Sequence, residues 1–284
     1  MKTYNDIYLE TRNALRASGI EGYTLEARLL VATAAGKSVA ELLRDINLYT
    51  TAAIDAEVQE LTRRRLAGEP VAYITGAWEF YGLPMKVTPD VLIPRMDTEL
   101  LVTTAKELLL GRKMDARILD LCCGSGCIAC ALGHELPATK LVAVDISANA
   151  LEIARENFAS NRLGSRAICI QADATSSPPM SIGQFDMIVS NPPYIASAEI
   201  MTLDASVRDY EPIWALDGGE DGYRFYKAII KYWKSLLRPG GFLLFEVGEG
   251  QAATVKEMLS SAGFRAVGSR LDTLNTERVV IGKM

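Results

Sequence analysis

Between residues 4 and about 67, apolar side chains recur at spacings of three and four: Ile7 and Leu15, then Leu25, Leu29 and Leu30, then Leu42 and Leu43, then Ile54, Val58 and Leu61. That period belongs to amphipathic helices, and Gly19, Gly22 and Gly36 divide the stretch into several of them. Thr24 and Ser38 stand where N-cap hydroxyls are expected, each ahead of good helix formers. From Pro70 to Pro94 the period changes, and Gly76, Gly82, Pro84, Pro89 and Pro94 punctuate short apolar segments at 78–81 and 85–87. This predicts a β-hairpin linker. Beyond Asp97, helix-like blocks at 98–110, 128–136 and 148–159 alternate with strand-like blocks at 117–121, 141–145, 167–171 and 185–190. Further strands are expected at 242–247, 265–269 and 279–281, seven in all. The alternation predicts a mostly parallel sheet with helices on both faces. The expected organisation is a helical domain at 1–75, a hairpin linker at 76–97 and an α/β domain at 98–284.

A length of 284 residues suits a small domain joined to a medium one. The net charge of −5 argues against a protein that gains affinity by neutralising many phosphates, since that needs a basic face. The run Arg63, Arg64, Arg65 lies one or two helical turns beyond Glu57 and Glu60, which points to a solvated helix face. No apolar run approaches the roughly 20 residues of a membrane span, and residues 1–10 carry no apolar targeting core, so a soluble, cytoplasmic protein is expected. Five cysteines, four of them within nine positions, do not suit a secreted disulfide framework. Reduced thiols are expected.

Two motifs carry candidate chemistry. The first runs from Arg117 through Asp120, Cys122, Cys123, Gly124, Ser125 and Gly126: an apolar strand entering a Gly-x-Gly turn that opens a helix. Such glycines let backbone approach a ligand closely. Asp145, nineteen residues beyond Gly126 at the end of the next apolar strand, is placed to accept both hydroxyl protons of a ribose. Ala129 stands three after Gly126, an admissible variant of the dinucleotide fingerprint, so glycine spacing alone leaves an oxidoreductase open. Asp120 tips the balance, because a carboxylate there repels a pyrophosphate and suits the ammonium group of a methionine moiety. With Asp145, the pattern resembles that of S-adenosyl-L-methionine-dependent methyltransferases. Asp173 would then meet the adenine amino group, and Ala174 would line the ring. Cys122 and Cys123 stand where that pattern often has Gly and Thr. Cys123, Cys127 and Cys130 have the spacing of radical enzymes that hold an iron–sulfur cluster, but two of them fall on the helix after the turn. Buried apolar thiols, with no metal, are the expectation.

The second motif is Asn191, Pro192, Pro193, Tyr194, directly after a hydrophobic strand and so at the carboxyl edge of the sheet. Successive prolines stiffen the loop and remove donors, leaving carbonyls as acceptors. A planar amide or exocyclic amine is a poor nucleophile. If the Asn191 side-chain oxygen and the Pro192 carbonyl each accept one N–H, its electron density is aimed at a methyl donor, and Tyr194 closes over the planar group. Catalysis is then positioning plus electrostatics, with no strong base. The single histidine, His134, lies on a helix away from the motif. The motif alone fits adenine-N6 and guanine-N2 nucleic-acid enzymes and glutamine-N5 protein enzymes alike. A non-catalytic module that merely holds a planar amide is the reading from another class.

Substrate choice comes from resemblance. Gly68, Glu69 and Pro70 through Gly76, Phe80 to Gly82, Val91 to Glu99, the two motifs above, Asp217 to Gly219, Gly222 to Tyr226, and Leu237 through Glu246 to Gly248 resemble signatures of the release factor glutamine methyltransferase family in order and spacing. The resemblance implies an α/β, Rossmann-like seven-stranded methyltransferase domain and transfer of a methyl group from S-adenosyl-L-methionine to the glutamine of a Gly-Gly-Gln loop. The implied partners are class 1 peptide chain release factors, with neither nucleic acid nor membrane. It also implies that Leu92 and Arg95 of the linker approach the cofactor site; packing and an ion pair of Arg95 with Asp97 or Glu99 are the alternatives. Met96, Ala174 and the segment 274–278 depart from the family pattern.

Overall fold

The computed structural model describes residues 1–111 and 115–284, which divide into two compact units: Met1–Ala77 with Asp204–Tyr210, and Trp78–Leu203 with Glu211–Met284.

The first unit is helical: α1 (Tyr4–Ala17), α2 (Tyr23–Ala34), α3 (Val39–Arg44), α4 (Ala52–Leu66) and α5 (Val71–Thr75). The short helix Val71–Thr75 falls inside the helical stretch expected at 1–75, although the apolar period already changes at Pro70. Thr3 and Ser38 each make a reciprocal capping box, with Asp6 and Glu41, and the Thr51 hydroxyl accepts the Ile54 N–H. Thr24 is not a cap: it lies inside α2, whose N-cap is Gly22, because a turn from Ile20 to Tyr23 starts the helix earlier. Ile7, Leu15, Leu30, Val31, Leu42, Val58 and Ile74 form the core, while Leu25 and Leu43 are exposed. The arginine run is consumed by ion pairs of Arg63 with Glu60, Arg64 with Glu69 and Arg65 with Glu26.

The second unit opens with the hairpin β1 (Ala77–Phe80) and β2 (Leu83–Lys86), then alternates α6 (Thr98–Leu109), β3 (Arg117–Leu121), α7 (Cys127–Glu135), β4 (Lys140–Asp145), α8 (Ala148–Ser160), β5 (Ala167–Gln171) and β6 (Phe185–Ser190). A short helix, α9 (Ala205–Arg208), falls in the segment that belongs to the first unit, and α10 (Arg224–Tyr232), β7 (Leu237–Glu246), α11 (Ala252–Ser261), β8 (Arg265–Leu271) and β9 (Glu277–Lys283) follow. Apart from the hairpin, the seven strands β3 to β9 form one sheet in the order β5-β4-β3-β6-β7-β9-β8, parallel through β7, with β9 antiparallel to both β7 and β8.

Parallel strands covered on both faces are nearly continuous apolar runs, as β3 and β4 are apart from Asp120 and the strand ends. Ile118, Leu141, Met187 and Leu244 pack under α6, α7 and α8, and Leu119, Val142, Ile188 and Leu243 under α10 and α11. β7 begins five residues before the expected 242, because a register shift against β6 carries residues 238–241 as an irregularity. Chain order reverses between β3 and β6, which makes the carboxyl ends of those two strands the switch point of the sheet. No described helix is long and apolar enough to cross a membrane.

Candidate functional site

Register assembles the site. Leu121 pairs with Val144 on one side and Ser190 on the other, and Ser190 pairs with Phe245. One residue further along, Cys122, Asp145, Asn191 and Glu246 therefore stand at the same level on four adjacent strands. A cavity of about 370 Å³ opens there, of the size that small-molecule sites occupy. Leu92, Arg95, Cys122, Cys123, Gly124, Ser125, Asp145, Asp173, Ala174, Asn191 and Pro193 all contribute to its wall. Asp120, Gly126, Pro192 and Tyr194 do not line it.

The glycine turn has two different glycines. Gly124 (φ +51°) has no atom within 4 Å of where a Cβ would sit, so bare backbone faces the cavity. At Gly126 (φ +75°) a Cβ would lie 2.8 Å from Phe158 Cε1, so its role is close packing of α7 against α8. Cys122 also adopts a left-handed conformation, φ 59°, which explains why glycine is frequent at this position in the pattern that the turn resembles.

Asp145 uses Oδ2 to accept the Gly124 N–H (2.9 Å) and Oδ1 to accept the Ser147 N–H (2.9 Å). Each oxygen keeps a lone pair for a further donor. Burial pushes its carboxyl above the usual range, against the pull of these backbone bonds. Asp173 is also pushed up by burial, but hydrogen bonds from Thr175 and Ser176 outweigh that and leave it lowered. The Ala174 carbonyl accepts Trp233 Nε1 at 3.0 Å, which pins that wall to the core.

Asp120 faces the opposite side of the sheet from Leu121, fully enclosed under α7. The N-cap of α7 is Gly126, which has no side chain, and Asp120 Oδ2 takes the place of one by accepting the Ala129 N–H at 3.2 Å. Its Oδ1 has no partner among the described residues. Burial pushes this carboxyl up to about 8, with Asp145 adding to the effect.

Neighbouring segments hold the wall. The buried Asn157 on α8 accepts the Lys86 N–H (2.7 Å) and donates to the carbonyls of Lys86 (3.0 Å) and Ser125 (2.9 Å), tying the hairpin to the glycine turn. Glu211, also buried, accepts the Ile93 N–H (3.2 Å) and Arg95 Nη2 (2.5 Å). Arg95 thus has its ion-pair partner in Glu211 and not in Asp97 or Glu99; Asp97 instead stands near Arg278. The cavity wall also includes Ile213, Trp214, Asp217, Arg224 and Phe225. Sequence reasoning singled out the segments of Asp217, Arg224 and Phe225 only as family signatures and assigned none of these residues, nor Asn157 or Glu211, to the site.

Asn191 donates from Nδ2 to Thr98 Oγ1 at 3.2 Å, which leaves Oδ1 as its remaining polar end. No hydrogen bond from the described residues reaches the Pro192 carbonyl, whereas the Tyr194 carbonyl accepts Gln251 Nε2 at 2.9 Å. Tyr194 is half-buried, and burial pushes its phenol up to about 12. Cys127 and Cys130 lie on α7, burial pushes the Cys127 thiol up to about 12, and no described group of three His, Cys, Asp or Glu is arranged to hold a metal ion. His134 is exposed near the far end of α7.

Residues 96–206 match the family model described as Methyltransferase small domain, and residues 6–76 the one described as PrmC N-terminal domain. A release factor glutamine methyltransferase from Geobacter sulfurreducens is 40% identical over 274 residues, covering 96% of this chain and 94% of that one. Its counterpart from Bradyrhizobium diazoefficiens is 42% identical over 250 residues, covering 87% and 83%. Among solved structures, the hMettl16 catalytic domain in complex with MAT2A 3'UTR hairpin 6 superposes with a TM-score of 0.58 at 20% identity, covering 78% of this chain and 81% of that one, a likeness of fold alone. Identity at this level along nearly the whole length shows that the chain is a methyltransferase and belongs to the release factor glutamine methyltransferase family.

Proposed function

We propose that the protein transfers a methyl group from S-adenosyl-L-methionine to the side-chain amide nitrogen, N5, of the glutamine in the Gly-Gly-Gln motif of class 1 peptide chain release factors. The observation that carries this reading is the orientation of Asn191: with Nδ2 held by Thr98, the acceptor Oδ1 is the end left for an incoming N–H, in the wall of a cavity that Asp145 also lines.

The cavity's residues fit the cofactor. Asp145 keeps one lone pair on each oxygen for two ribose hydroxyls, Gly124 offers unobstructed backbone, and Asp173 and Ala174 would border the adenine, with Leu92 and Arg95 covering the site from the linker. Cys122, Cys123 and Ser125 complete the turn. Asp120 is enclosed behind α7, so its influence on an ammonium group is through charge; a cation nearby favours its ionised form. When bound, S-adenosyl-L-methionine supplies an electrophilic methyl group on a sulfonium.

The chain's own residues do the rest by positioning. Asn191 Oδ1 and the Pro192 carbonyl accept the two N–H bonds of the glutamine amide, which fixes its plane and concentrates electron density on nitrogen. Pro193 stiffens the loop and Tyr194 excludes water beside it. Proton loss follows once the nitrogen has been methylated and has become acidic, so no residue with a matched basic pKa is required. Residues 1–75 are assigned to recognition of the release factor and 76–97 to a linker, supported by the match of residues 6–76 to the model described as PrmC N-terminal domain. The work belongs in the cytoplasm, where release factors act.

The test offers labelled cofactor with a release factor, duplex DNA and ribosomal RNA in separate incubations. Label is expected in the release factor alone, and Asn191→Ala should lower the rate by about 10²–10³ while leaving the protein folded, by analogy with loss of one oriented hydrogen bond in an oxyanion hole. Label in nucleic acid and none in the release factor would refute the substrate assignment.

A further inference from the structure

α11 has Gln251 at its N-cap, a position that favours shorter polar side chains, and the Gln251 amide makes no cap bond to its own helix. It reaches elsewhere. Its Oε1 accepts the Gly248 N–H at 3.0 Å and the Tyr226 hydroxyl at 3.2 Å, while Nε2 donates to the Tyr194 carbonyl at 2.9 Å. A backbone N–H only donates and a carbonyl only accepts, so these partners fix which end of the amide is which. Three glycines crowd the same tyrosine. A Cβ at Gly218 would lie 2.7 Å from Tyr194 Cα, and one at Gly248 would lie 3.0 Å from Tyr194 Cδ2. At Gly222 it would lie 2.5 Å from the Tyr194 carbonyl oxygen and 2.8 Å from Gln251 Nε2, in the path of the hydrogen bond itself. The glycines come from three separate segments that carry the family resemblance, and all three meet at Tyr194. Just beyond it, the Ile195 N–H donates to the Leu216 carbonyl and the Gly218 N–H to the Ile195 carbonyl, which lays the chain alongside 216–218.

We infer that Gln251 is a positioning residue for methyl transfer: its amide holds the Tyr194 carbonyl, the bare backbone of Gly218, Gly222 and Gly248 lets that contact close, and the Tyr194 ring is thereby fixed beside the substrate amide. The inference rests on the reading of Asn191 to Tyr194 as the loop that receives the glutamine amide. Pro192 and Pro193 each lock their own φ, but neither restrains the residue that follows them. Tyr194 needs an anchor from outside the loop. Gln251 supplies it at this end, as Thr98 does at Asn191. The same bond occupies the Tyr194 carbonyl, which keeps it from competing with the Pro192 carbonyl for the substrate N–H. Gln251 does not line the cavity, so it acts on the reaction through Tyr194.

The experiment measures methyl transfer by the full chain to a release factor, with S-adenosylhomocysteine titrated alongside for affinity and stoichiometry. Gln251→Glu keeps the size and the acceptor for the Gly248 N–H and the Tyr226 hydroxyl, but a carboxylate cannot donate to the Tyr194 carbonyl. It should lower kcat about tenfold, the equivalent of one hydrogen bond, with S-adenosylhomocysteine affinity within about twofold and stoichiometry unchanged. Tyr194→Ala should lower kcat by itself, and adding Gln251→Glu to it should cost less than about twofold more, because the ring that Gln251 places is gone. A merely structural role would give the same fractional loss in both backgrounds. That result, wild-type kcat in Gln251→Glu, or a loss of turnover matched by a loss of bound S-adenosylhomocysteine would overturn the inference. Full activity in Asn191→Ala would fail the reading of the loop and this inference with it. A loss in Asn191→Ala with none in Gln251→Glu sinks the role of Gln251 alone. Should Gln251→Glu not fold, Gly248→Ala decides: its methyl group presses on the Tyr194 ring, so kcat should fall severalfold with S-adenosylhomocysteine binding kept, and wild-type kcat there would overturn the inference.

Discussion

Cys122 and Asp120 show how the site imposes its own conditions on single residues. Cys122 holds a left-handed φ of 59°, a conformation that costs a residue with a Cβ about 1–2 kcal/mol. Cys122→Ala and Cys122→Gly both remove the thiol, so the difference between them isolates that cost. Glycine should be more stable than alanine here by about 1 kcal/mol, the reverse of the usual order, in a denaturant titration. Asp120 carries the opposite kind of strain. Its carboxyl is lifted by burial from 3.8 to about 8, so the folded state holds a proton that the unfolded chain has released. The stability linked to that proton is complete below about pH 4 and lost as pH rises through about 8. Asp120→Asn keeps an acceptor for the Ala129 N–H and cannot ionise. Its melting temperature should therefore gain on the wild type as pH rises from 5 to 9, and a gap that stays constant with pH would show that Asp120 is not buried as described.

At the scale of elements, most of the α/β unit was legible, and the reason is visible in β3 and β4. Strands covered on both faces are nearly continuous apolar runs, and the turn between β3 and α7 carries its glycines in order. The caps at Ser38 and the hairpin of β1 and β2 were likewise readable from local chemistry. What pattern could not show is which distant residues hold the loops. Glu211 lies 116 positions from Arg95, and Asn157 lies 71 from Lys86. The wall around Ile213 and Trp214 comes from a short 3-10 turn whose two large apolar residues are about half exposed, so no periodicity marks it. Thr98 was legible as a helix start but not as the partner of Asn191. Asn157→Ala tests the role of such a tie: it leaves the Lys86 N–H and two carbonyls without their partner. The protein should lose about 1–3 kcal/mol of stability together with cofactor affinity, since the glycine turn is one of the things released. A stability loss with unchanged S-adenosylhomocysteine affinity would mean that Asn157 supports the hairpin alone.

The molecule as a whole comprises two compact units, and the relatives that match it do so along both. A net charge of −5 and an arginine run already paired with Glu60, Glu69 and Glu26 leave little to attract a phosphate backbone, which favours a protein substrate. The central claim is that the nitrogen of one glutamine receives the methyl group. The direct measurement is to incubate the protein with a release factor and cofactor bearing an isotopically labelled methyl group, then locate the label by tandem mass spectrometry and by the NMR shift of the transferred carbon. A methyl group on the N5 amide of the Gly-Gly-Gln glutamine, and no incorporation when that glutamine is substituted, is the expected result. Label on another residue, on oxygen, or persisting after the glutamine is changed would contradict it.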